Sequence, residues 1–491
     1  MAWTRGIAAA AVVLALGGCA GIAGQASPQL GAQTAVSHPA DRNSDAVSAG
    51  LRRIDACALL DGGQPVPLGP HACRFAPDPK TQIDVAVGLD SDFGRRWAMI
   101  PIALGGAKAY WANEKTNCQV DIPVSFTRAV HVTGSPCDRV KAAAATVAAK
   151  LGNPDAVAVP ASRPLAGWDG CSLLEKAVGG FDVKAKVRQD LLDSPFDTCG
   201  VEPPTGSRTA TVDLEYTTDP LSGLNRTPRQ VGDKTAEIDD QGSTCFVSWS
   251  VGPSPANNAA VVSVRMKGCD DAMALAVKVQ QVLAGPAPSG QPQRPLLYGA
   301  NDPDTDAAGA CVDYFADNGV CVPYQPFTLP ASFNDWFPTT DHQPSISCAI
   351  AADAVRQVYG DTFKPVVVGD FCVFVEPTHA LTLSFDATTA FPPANYGTRP
   401  DLYADQQTVT VSGKQAKTFT DIDSGAKPGQ PRYRSYEVYV SPYNDLGRNG
   451  LIAGEAEASV PRGGDVSDPV DVSKLHNLDQ VMTKIIANHV P

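Results

Sequence analysis

The sequence predicts an α+β protein of three tandem repeats, each with helices packed on an antiparallel sheet and stapled by disulfides. Three observations predict this class: a recurring pattern of cysteines, strands of period two grouped between helices, and alanine-rich segments that close the first two copies. With 491 residues, of which 43% are hydrophobic, the chain is too long for one core. We therefore expect several domains.

The N-terminus predicts a signal peptide over residues 1–18. Arg5 precedes an apolar run from Ile7 to Leu16, which is too short to span a bilayer. The end of this run, "LGGC", resembles the lipobox of bacterial lipoproteins. That resemblance implies a diacylated, palmitate-bearing Cys19 that anchors the chain to the outer face of the cell membrane. The alternative is an ordinary signal peptide with an incidental cysteine.

Charge and cysteine content narrow the partners and the compartment. A net charge of -13 repels phosphate backbones, so we expect no nucleic-acid partner. An exported chain folds in an oxidising compartment, where cysteines pair. The chain has 13 cysteines. If Cys19 carries the lipid, an even number of cysteines remains, and these can all pair within the fold.

The cysteines follow a pattern that occurs twice. The motif D-x-C-x-L-L surrounds Cys57 in "DACALL" and Cys171 in "DGCSLL". Further cysteines follow in "HACRF" and "DTCGVEP", and then in "TNCQV" and "STCFV". In each copy a last cysteine opens an alanine-rich segment, "RVKAAAATVAAKL" or "DAMALAVKVQQVL". Both segments predict helices.

The strands lie between these helices. "TQIDVAVGL", "TATVDLEY" and "ALTLSFD" alternate apolar and polar residues, and "CQVDIPVSF" and "CFVSWSVG" follow in the first two copies. Alternation of this kind is typical of strands with one face against a core. The grouping of strands between two helices favours antiparallel sheets.

A third copy is present in altered form. Cys348 lies in the amphipathic "ISCAIAADAVRQVYG", and Cys372 begins the strand "CVFVEP", which shares "VEP" with the segment after Cys199. The third and fourth cysteines of the pattern are missing. The chain ends in a predicted helix with one apolar face, formed by Leu475, Leu478, Val481 and Ile485.

The missing pair predicts how the cysteines are joined. If the third and fourth cysteines of a repeat bond to each other, losing both leaves no free thiol, whereas crossed pairing would leave two. Four cysteines nevertheless allow three connectivities. No C-x-x-C pair occurs, so we expect disulfides rather than a metal site. The expected pairs are Cys57–Cys73, Cys118–Cys137, Cys171–Cys199, Cys245–Cys269, Cys348–Cys372 and Cys311–Cys321.

Composition sets the expected boundaries. Residues 19–50 predict a flexible tether, and residues rich in proline and small side chains predict a linker over 285–310. The repeats are then residues 51–152, residues 168–284 and a divergent third over residues 311–491. The third carries an insertion rich in aromatic residues and proline.

The D-x-C-x-L-L opening resembles the DUF3558-type lipoprotein domains of mycobacteria and related actinobacteria. The element order is also similar to the extracellular sensor domain of the mycobacterial receptor kinases. Ala56 and Gly170 stand where that family usually has proline, and the third copy departs throughout. The resemblance implies a repeated extracytoplasmic scaffold and brings no catalytic residues.

Motifs for catalysis are few. Ser424 and Lys427 form an S-x-x-K, but they lie among glycine and proline, which predict a turn rather than the helix start that this chemistry needs. The seven histidines are scattered. For His71 and His131, each close to an expected disulfide, we expect satisfied surface or turn positions. We predict no catalytic residue and no cofactor.

The linker contains a weak calcium-loop pattern. Its acidic residues stand at positions 1, 3, 5 and 12, but alanine replaces the glycine at position 6. The alternative is a solvated acidic linker. The candidate ligands are Asp302, Asp304, Asp306 and Asp313.

The aromatic insertion "CVPYQPFTLPASFNDWFPTTD" is the candidate binding surface, because Trp and Tyr dominate binding hot spots. The alternative is that it covers the core of the third repeat. Its candidate residues are Tyr324, Phe327, Phe333, Trp336 and Phe337.

These observations favour a non-enzymatic, lipid-anchored, sensor-like module that binds an unknown ligand or protein of the cell envelope. The alternatives are an envelope hydrolase with dispersed carboxylates and a structural factor of cell-wall assembly. A hydrolase predicts converging carboxyl or histidine side chains with shifted pKa values in a deep cleft. A binding module predicts an apolar or aromatic groove without them, and a structural factor predicts neither.

Overall fold

The structure is a computed structural model of the whole chain. It describes residue 42 and residues 44–491 apart from 63, 92, 98, 115–116, 161, 180–195, 202–209, 223–227, 256–258, 306, 308, 315–320, 422–432 and 465–467. The described residues form three antiparallel sheets and eight α-helices, joined by six disulfides. The fold is therefore mixed, with helices on antiparallel sheets, as the sequence predicts.

The first sheet has seven strands in the order β1-β2-β3-β7-β6-β5-β4. Helix α1 precedes it, α2 follows β3, and α3 follows β7. The bounds are α1 Ser44–Leu51, β1 Val66–Pro67, β2 Ala72–Asp78, β3 Thr81–Asp90, α2 Phe93–Trp97, β4 Ile100–Leu104, β5 Ala107–Glu114, β6 Asn117–Pro123, β7 Arg128–Ser135 and α3 Cys137–Leu151.

The second sheet has six strands in the order β10-β11-β12-β13-β9-β8. Helix α4 leads into it, and α5 follows its last strand. The bounds are α4 Gly170–Val178, β8 Thr198–Val201, β9 Ala210–Thr217, β10 Pro228–Val231, β11 Lys234–Asp240, β12 Cys245–Pro253, β13 Ala259–Met266 and α5 Cys269–Leu283.

The third sheet has eight strands in the order β14-β15-β16-β17-β21-β20-β19-β18. Helices α6 and α7 lie between β14 and β15, and α8 ends the chain. The bounds are β14 Cys321–Pro323, α6 Phe333–Trp336, α7 Ser345–Tyr359, β15 Lys364–Val368, β16 Phe371–Val375, β17 Leu381–Thr388, β18 Tyr403–Val411, β19 Lys414–Asp421, β20 Tyr433–Val440, β21 Leu451–Ser459 and α8 Leu478–His489.

Six strands of each sheet share one order. Two strands form a hairpin, the last strand of the sheet pairs with the second, and the intervening strands run outward to the edge, as in β2-β3-β7-β6-β5-β4. A helix then follows the last strand and packs on one face of the sheet. We call the opposite face of each sheet its open face.

The closing helices form where the sequence predicts them. In α3, Val140, Ala144 and Val147 are buried at helical spacing against the first sheet. At the C-terminus, the predicted face is buried in the third core, with Leu475 in a 3-10 turn just before α8 and Leu478, Val481 and Ile485 in α8. Each helix is stable because this stripe is removed from water, which contributes about 25 cal/mol for each Å² of apolar surface.

The disulfides join the six pairs that the sequence predicts. Three of them fasten the segment before a sheet to a core strand, as Cys57–Cys73 does, and two fasten a later strand to its closing helix, as Cys118–Cys137 does. The others are Cys171–Cys199, Cys245–Cys269, Cys311–Cys321 and Cys348–Cys372. Six disulfides fit a protein that folds in an oxidising, extracellular compartment.

The structure differs from the predicted tether and linker. Residues 44–51 form a helix instead of a tether, because Val47 and Leu51 are buried in the first core. The segment expected as a linker after α5 packs on the first sheet: Leu296 is buried in its core, and Gly299 forms a β-bridge with Ala107. Apolar side chains within both segments explain the difference.

The opening of the first copy differs from that of the other two. Cys57 opens a 3-10 turn, Cys57–Leu59, rather than the α-helix that Cys171 and Cys348 occupy. Within the described part of the chain, no helix is long and apolar enough to cross a membrane.

Candidate functional site

The open face of the third sheet carries glutamates in its centre. Glu437 lies between Tyr436 and Val438 on β20, and Glu455 precedes Ala456 on β21. Those neighbours belong to the third core. Because side chains alternate along a strand, both glutamates point away from the helices, into the open face.

The strand register puts these carboxyls side by side. Glu437 is the direct cross-strand partner of Glu455, and Glu457 lies two residues further along β21. Side chains that are directly opposed have Cβ atoms about 5 Å apart, and like charges in that position destabilise the sheet. The Tyr439 hydroxyl donates a hydrogen bond of 2.8 Å to Glu437 Oε2.

The pKa values record this crowding. Burial, followed by the charges of Glu437 and Glu457, raises the pKa of Glu455 to about 8. Burial also raises the pKa of Glu437 to about 7, although the Tyr439 hydrogen bond opposes the shift. The pKa of Glu457 is raised for the same reason, burial first and Asp421 second. Near neutral pH Glu455, and in part Glu437, thus hold protons that ordinary glutamates have lost.

Aromatic rings border the carboxyls on one side. Tyr396 stacks on Tyr439 with ring centres 4.2 Å apart, and Phe419 stacks on the other side of Tyr439 at 5.4 Å. The loop with Tyr396 is fixed because Lys417 donates to the Tyr396 carbonyl at 2.5 Å. Tyr403 then packs edge-on against Phe419.

The other side is bordered by the segment of the Cys311–Cys321 disulfide. Ala310 and Cys311 pack on Val373 and Val375, which lie on the same open face. Tyr314 extends toward Glu457, whose charge, after burial, raises the pKa of the Tyr314 hydroxyl. The strip between the two borders is the acidic groove, defined by Glu437, Glu455, Glu457, Tyr439, Tyr396 and Tyr314.

A resident metal is not indicated. Among the residues that the structure describes, no three His, Cys, Asp or Glu side chains form a metal-binding group. Three surface cavities of about 300, 250 and 570 Å³ lie elsewhere, and none of these three is lined by Glu437 or Glu455. The groove is thus an open surface feature with carboxyl and ring chemistry.

The prediction of a calcium site is wrong for Asp304, because this side chain already binds other residues. Asp304 is buried and is bound by Lys108 at 3.1 Å, by Arg96 at 3.3 Å and by the Tyr110 hydroxyl at 2.9 Å. Asp302 accepts from the Gly299 amide at 2.7 Å. Two cations already compensate the Asp304 charge, so it lacks the free oxygens that calcium needs. Asp306 lies outside the described residues, and the Asp313 carbonyl accepts from Trp97.

The aromatic insertion covers the core. Phe333, Trp336 and Phe337 are buried in the third core, where Phe333 stacks on Phe337 and Trp336 packs edge-on against both, which corrects the prediction that they face a partner. Tyr324 and Phe327 are partly buried against the same core. The core-covering alternative therefore describes this segment, because its rings close the apolar end of the sheet.

His71 and His131 both have hydrogen-bond partners, but His71 is neither at the surface nor in an exposed turn. It is fully buried, with Nδ1 2.5 Å from Asp197 Oδ1 and Nε2 3.2 Å from the Ala166 carbonyl oxygen. His131 is partly exposed and bonds Asp121 at 2.6 Å. Cys19, Ser424 and Lys427 lie outside the described residues.

Sequence patterns missed the acidic groove. "YRSYEVYV" and "LIAGEAEAS" each place glutamate at polar positions of an alternating strand, which is the ordinary pattern of a solvated face. The signal that could have found the groove is the presence of such glutamates on two strands that pair. Register between strands decides whether they meet.

Comparisons with known proteins add little. No protein-family model matches the chain, and no curated protein matches it. Among solved structures, the chain is similar to the apo structure of immunity protein TplEi of T6SS from Pseudomonas aeruginosa. That similarity has 11% identity and a TM-score of 0.17, and covers 58% of this chain and 92% of the other. A TM-score this low carries no argument, so function is argued from the site.

Proposed function

We propose that this protein is an exported, lipid-anchored binding module of the cell envelope, and that the acidic groove is its ligand site. The observation that carries the proposal is the direct opposition of Glu437 and Glu455 on paired strands. The raised pKa values of Glu437 and Glu455 mean that ionising both carboxyls costs free energy in the empty sheet. A ligand cation compensates this charge, so it binds with favourable energy as the carboxyls lose their protons.

The chemistry of the groove favours a ligand with a protonated amine. Such a group acts as the counter-ion that the described residues do not provide for Glu437 and Glu455. The Tyr396–Tyr439 stack offers ring faces and edges beside the carboxyls, and ring faces attract cations by about 0.5–2 kcal/mol. The net charge of -13 also draws cations toward the protein.

Calorimetric titration of the exported protein with spermidine and with a tetralysine peptide tests this proposal. E437Q and E455Q remove the two charges without removing their volume, and we expect each to weaken binding about tenfold or more. E175Q changes an exposed glutamate on α4 and is the matched control. If E175Q weakens binding as much, attraction is to bulk charge and the groove is not the site. Preference for one probe distinguishes a small amine from a basic peptide.

A second candidate is an envelope hydrolase. The pKa of Glu455, about 8, leaves this carboxyl protonated at neutral pH, as a general acid must be, and Glu437 lies opposite it. Release of reducing ends from purified cell-wall polysaccharide tests this candidate. Turnover that E455Q abolishes would replace the binding proposal. Binding of the amines without turnover would support it.

The remaining parts of the proposal concern the scaffold. The shared order of six strands, the closing helices and the recurrent disulfides support three tandem repeats of one unit. Export agrees with the disulfides, and the lipobox-like "LGGC" provides the anchor at Cys19. Within this arrangement the third repeat supplies the binding surface, while the first two present it at a distance from the membrane.

A further inference from the structure

We call the first sheet with its helices the first unit, and the second sheet with its helices the second unit. The two units meet at Phe196 and Asp197. Phe196 belongs to the second unit, yet its ring is buried in the first core. It lies against the backbone of Gly88, where a Cβ would approach the Phe196 ring to 2.7 Å, and where φ is +82°. Glycine is required there for both reasons. Asp197 follows Phe196 and reaches His71 of the first unit.

The His71 ring is enclosed by hydrogen-bond acceptors. Its Nδ1 lies 2.5 Å from Asp197 Oδ1, and its Nε2 lies 3.2 Å from the Ala166 carbonyl oxygen. The backbone amide of His71 donates to Asp197 Oδ2 at 3.0 Å, which uses the second oxygen of the carboxylate. The Phe196 ring packs edge-on against the imidazole at 4.7 Å.

These contacts fix the number of protons. A carbonyl oxygen only accepts, so Nε2 must carry hydrogen. A carboxylate oxygen also only accepts, so Nδ1 must carry hydrogen as well. A neutral imidazole has a single N–H and satisfies one of these partners. The intact junction therefore contains one proton more than a neutral imidazole beside a carboxylate.

We propose that His71 and Asp197 form a protonation-dependent clasp that holds the first two units together and releases them as the pH rises. Loss of the second ring proton leaves either Asp197 Oδ1 or the Ala166 carbonyl oxygen without its donor. Both are buried, and an unsatisfied buried group destabilises the contact that buries it. The clasp is independent of the acidic groove, so the two proposals fail separately.

The other charged groups at the junction form their own pairs. Arg52 binds Asp169 at 2.7 Å, and Arg163 binds Asp55 through both guanidinium nitrogens at 2.5 and 2.6 Å. Arg128 lies over Phe196 and donates to the Gly88 carbonyl. Tyr216 donates from its hydroxyl to the Pro164 carbonyl. Each of these groups thus has its own partner at the junction, and the imidazole of His71 is the group held by Asp197 and Ala166.

Hydrogen exchange of the exported protein, corrected for the intrinsic effect of pH, tests the clasp. We expect protection of peptides over residues 68–73 and 196–200 to fall about tenfold between pH 5.5 and pH 9, while peptides over residues 245–253 in β12 of the second sheet keep theirs. In H71Q protection should be low at both pH values. H131Q changes a histidine whose carboxylate partner lies within the first unit and should retain the pH dependence.

D197N keeps the test decisive if H71Q does not fold. An asparagine can accept from the His71 amide with its oxygen and donate to Nδ1 with its nitrogen, so a neutral imidazole then satisfies every partner. We expect D197N to hold the junction closed at both pH values. Two results would overturn the proposal. One is that the junction of D197N opens with pH as much as that of the wild type, and the other is that protection in the wild type does not change with pH.

Discussion

The open faces of the first and third sheets both carry carboxyl groups, fully buried on the first and half-buried on the third. The two faces pair these groups with opposite partners. On the first sheet, Asp121 is fully buried and bonds His131 at 2.6 Å and Arg95 at 3.0 Å. On the third sheet, Glu437 faces Glu455, and its described hydrogen bond comes from a neutral tyrosine. A buried carboxyl is thus paired with cations in one unit and with another carboxyl in the other.

The pKa values follow the partners. Burial opposes ionisation of Asp121, but the charge and hydrogen bond of His131, with those of Arg95, hold its pKa far below the usual range. Burial and like charges raise the pKa of Glu455 to about 8. The difference teaches that a paired buried carboxyl stabilises its unit, whereas a crowded one weakens it and calls for a functional explanation.

Breaking the Asp121 pair should have the largest effect. D121N keeps the shape but leaves His131 and Arg95 without their counter-ion, and we expect a loss of about 3 kcal/mol in the free energy of unfolding at neutral pH. The measurement is urea unfolding, with the first unit identified by hydrogen exchange.

The pH dependence supplies the control for D121N. Because the folded pKa is depressed, the stabilisation by Asp121 exists above the unfolded pKa of about 4 and is lost as the pH falls below it. Wild type and D121N should converge in acid. If the difference in unfolding free energy between wild type and D121N were the same at all pH values, the shape of the side chain, not its charge, would be responsible.

Relieving the crowded pair should have the opposite sign and a smaller size. The pKa of Glu455 is raised, so its charge weakens the fold as the pH rises from about 4.5 to about 8. E455Q should therefore stabilise the protein by about 1–3 kcal/mol at pH 8 and change little near pH 4.5. Thermal unfolding at both pH values measures this, with E175Q as the unaffected control. Destabilisation by E455Q at pH 8 would make Glu455 a structural residue.

An exposed pair sharpens the comparison with the smallest effect. Arg74 and Asp84 form a two-point contact, 2.8 Å for each bond, on the open face of the first sheet, but the Arg74 side chain is 43% exposed. R74A should change the free energy of unfolding by less than about 1 kcal/mol, because water and salt screen the pair. Urea unfolding measures this change. If R74A lost as much unfolding free energy as D121N, burial would not be what decides the strength of an ion pair.

Patterns that depend on neighbours in sequence predicted the scaffold. The alanine-rich segments became α3 and α5, the alternating segments became strands, and the missing third and fourth cysteines of the last copy indicated the pairs that the structure joins. The helices and strands depend on residues close together in the sequence, and the disulfide pairs follow from counting cysteines. The sequence alone therefore predicts both.

Contacts between distant segments escaped prediction. The acidic groove depends on the register of β20 against β21, and the His71 clasp joins residues 126 positions apart. The aromatic insertion was offered as a surface because its composition suits both a core and an interface, and composition does not decide between them. Acidic residues of the linker looked like calcium ligands because Arg96 and Lys108 lie far away in sequence.

The path of the chain after α5 has a consequence for how the protein is made. Leu296 completes the first core, and Asp304 enters the Arg96 and Lys108 site, although both residues follow the whole second unit in sequence. During synthesis the first unit therefore waits, with part of its core open, until residue 304 has emerged. Its early disulfide, Cys57–Cys73, closes a loop long before that point and limits the unfolded forms available in the interval. The first unit is thus the first to emerge, yet it completes its core only after the whole second unit has emerged.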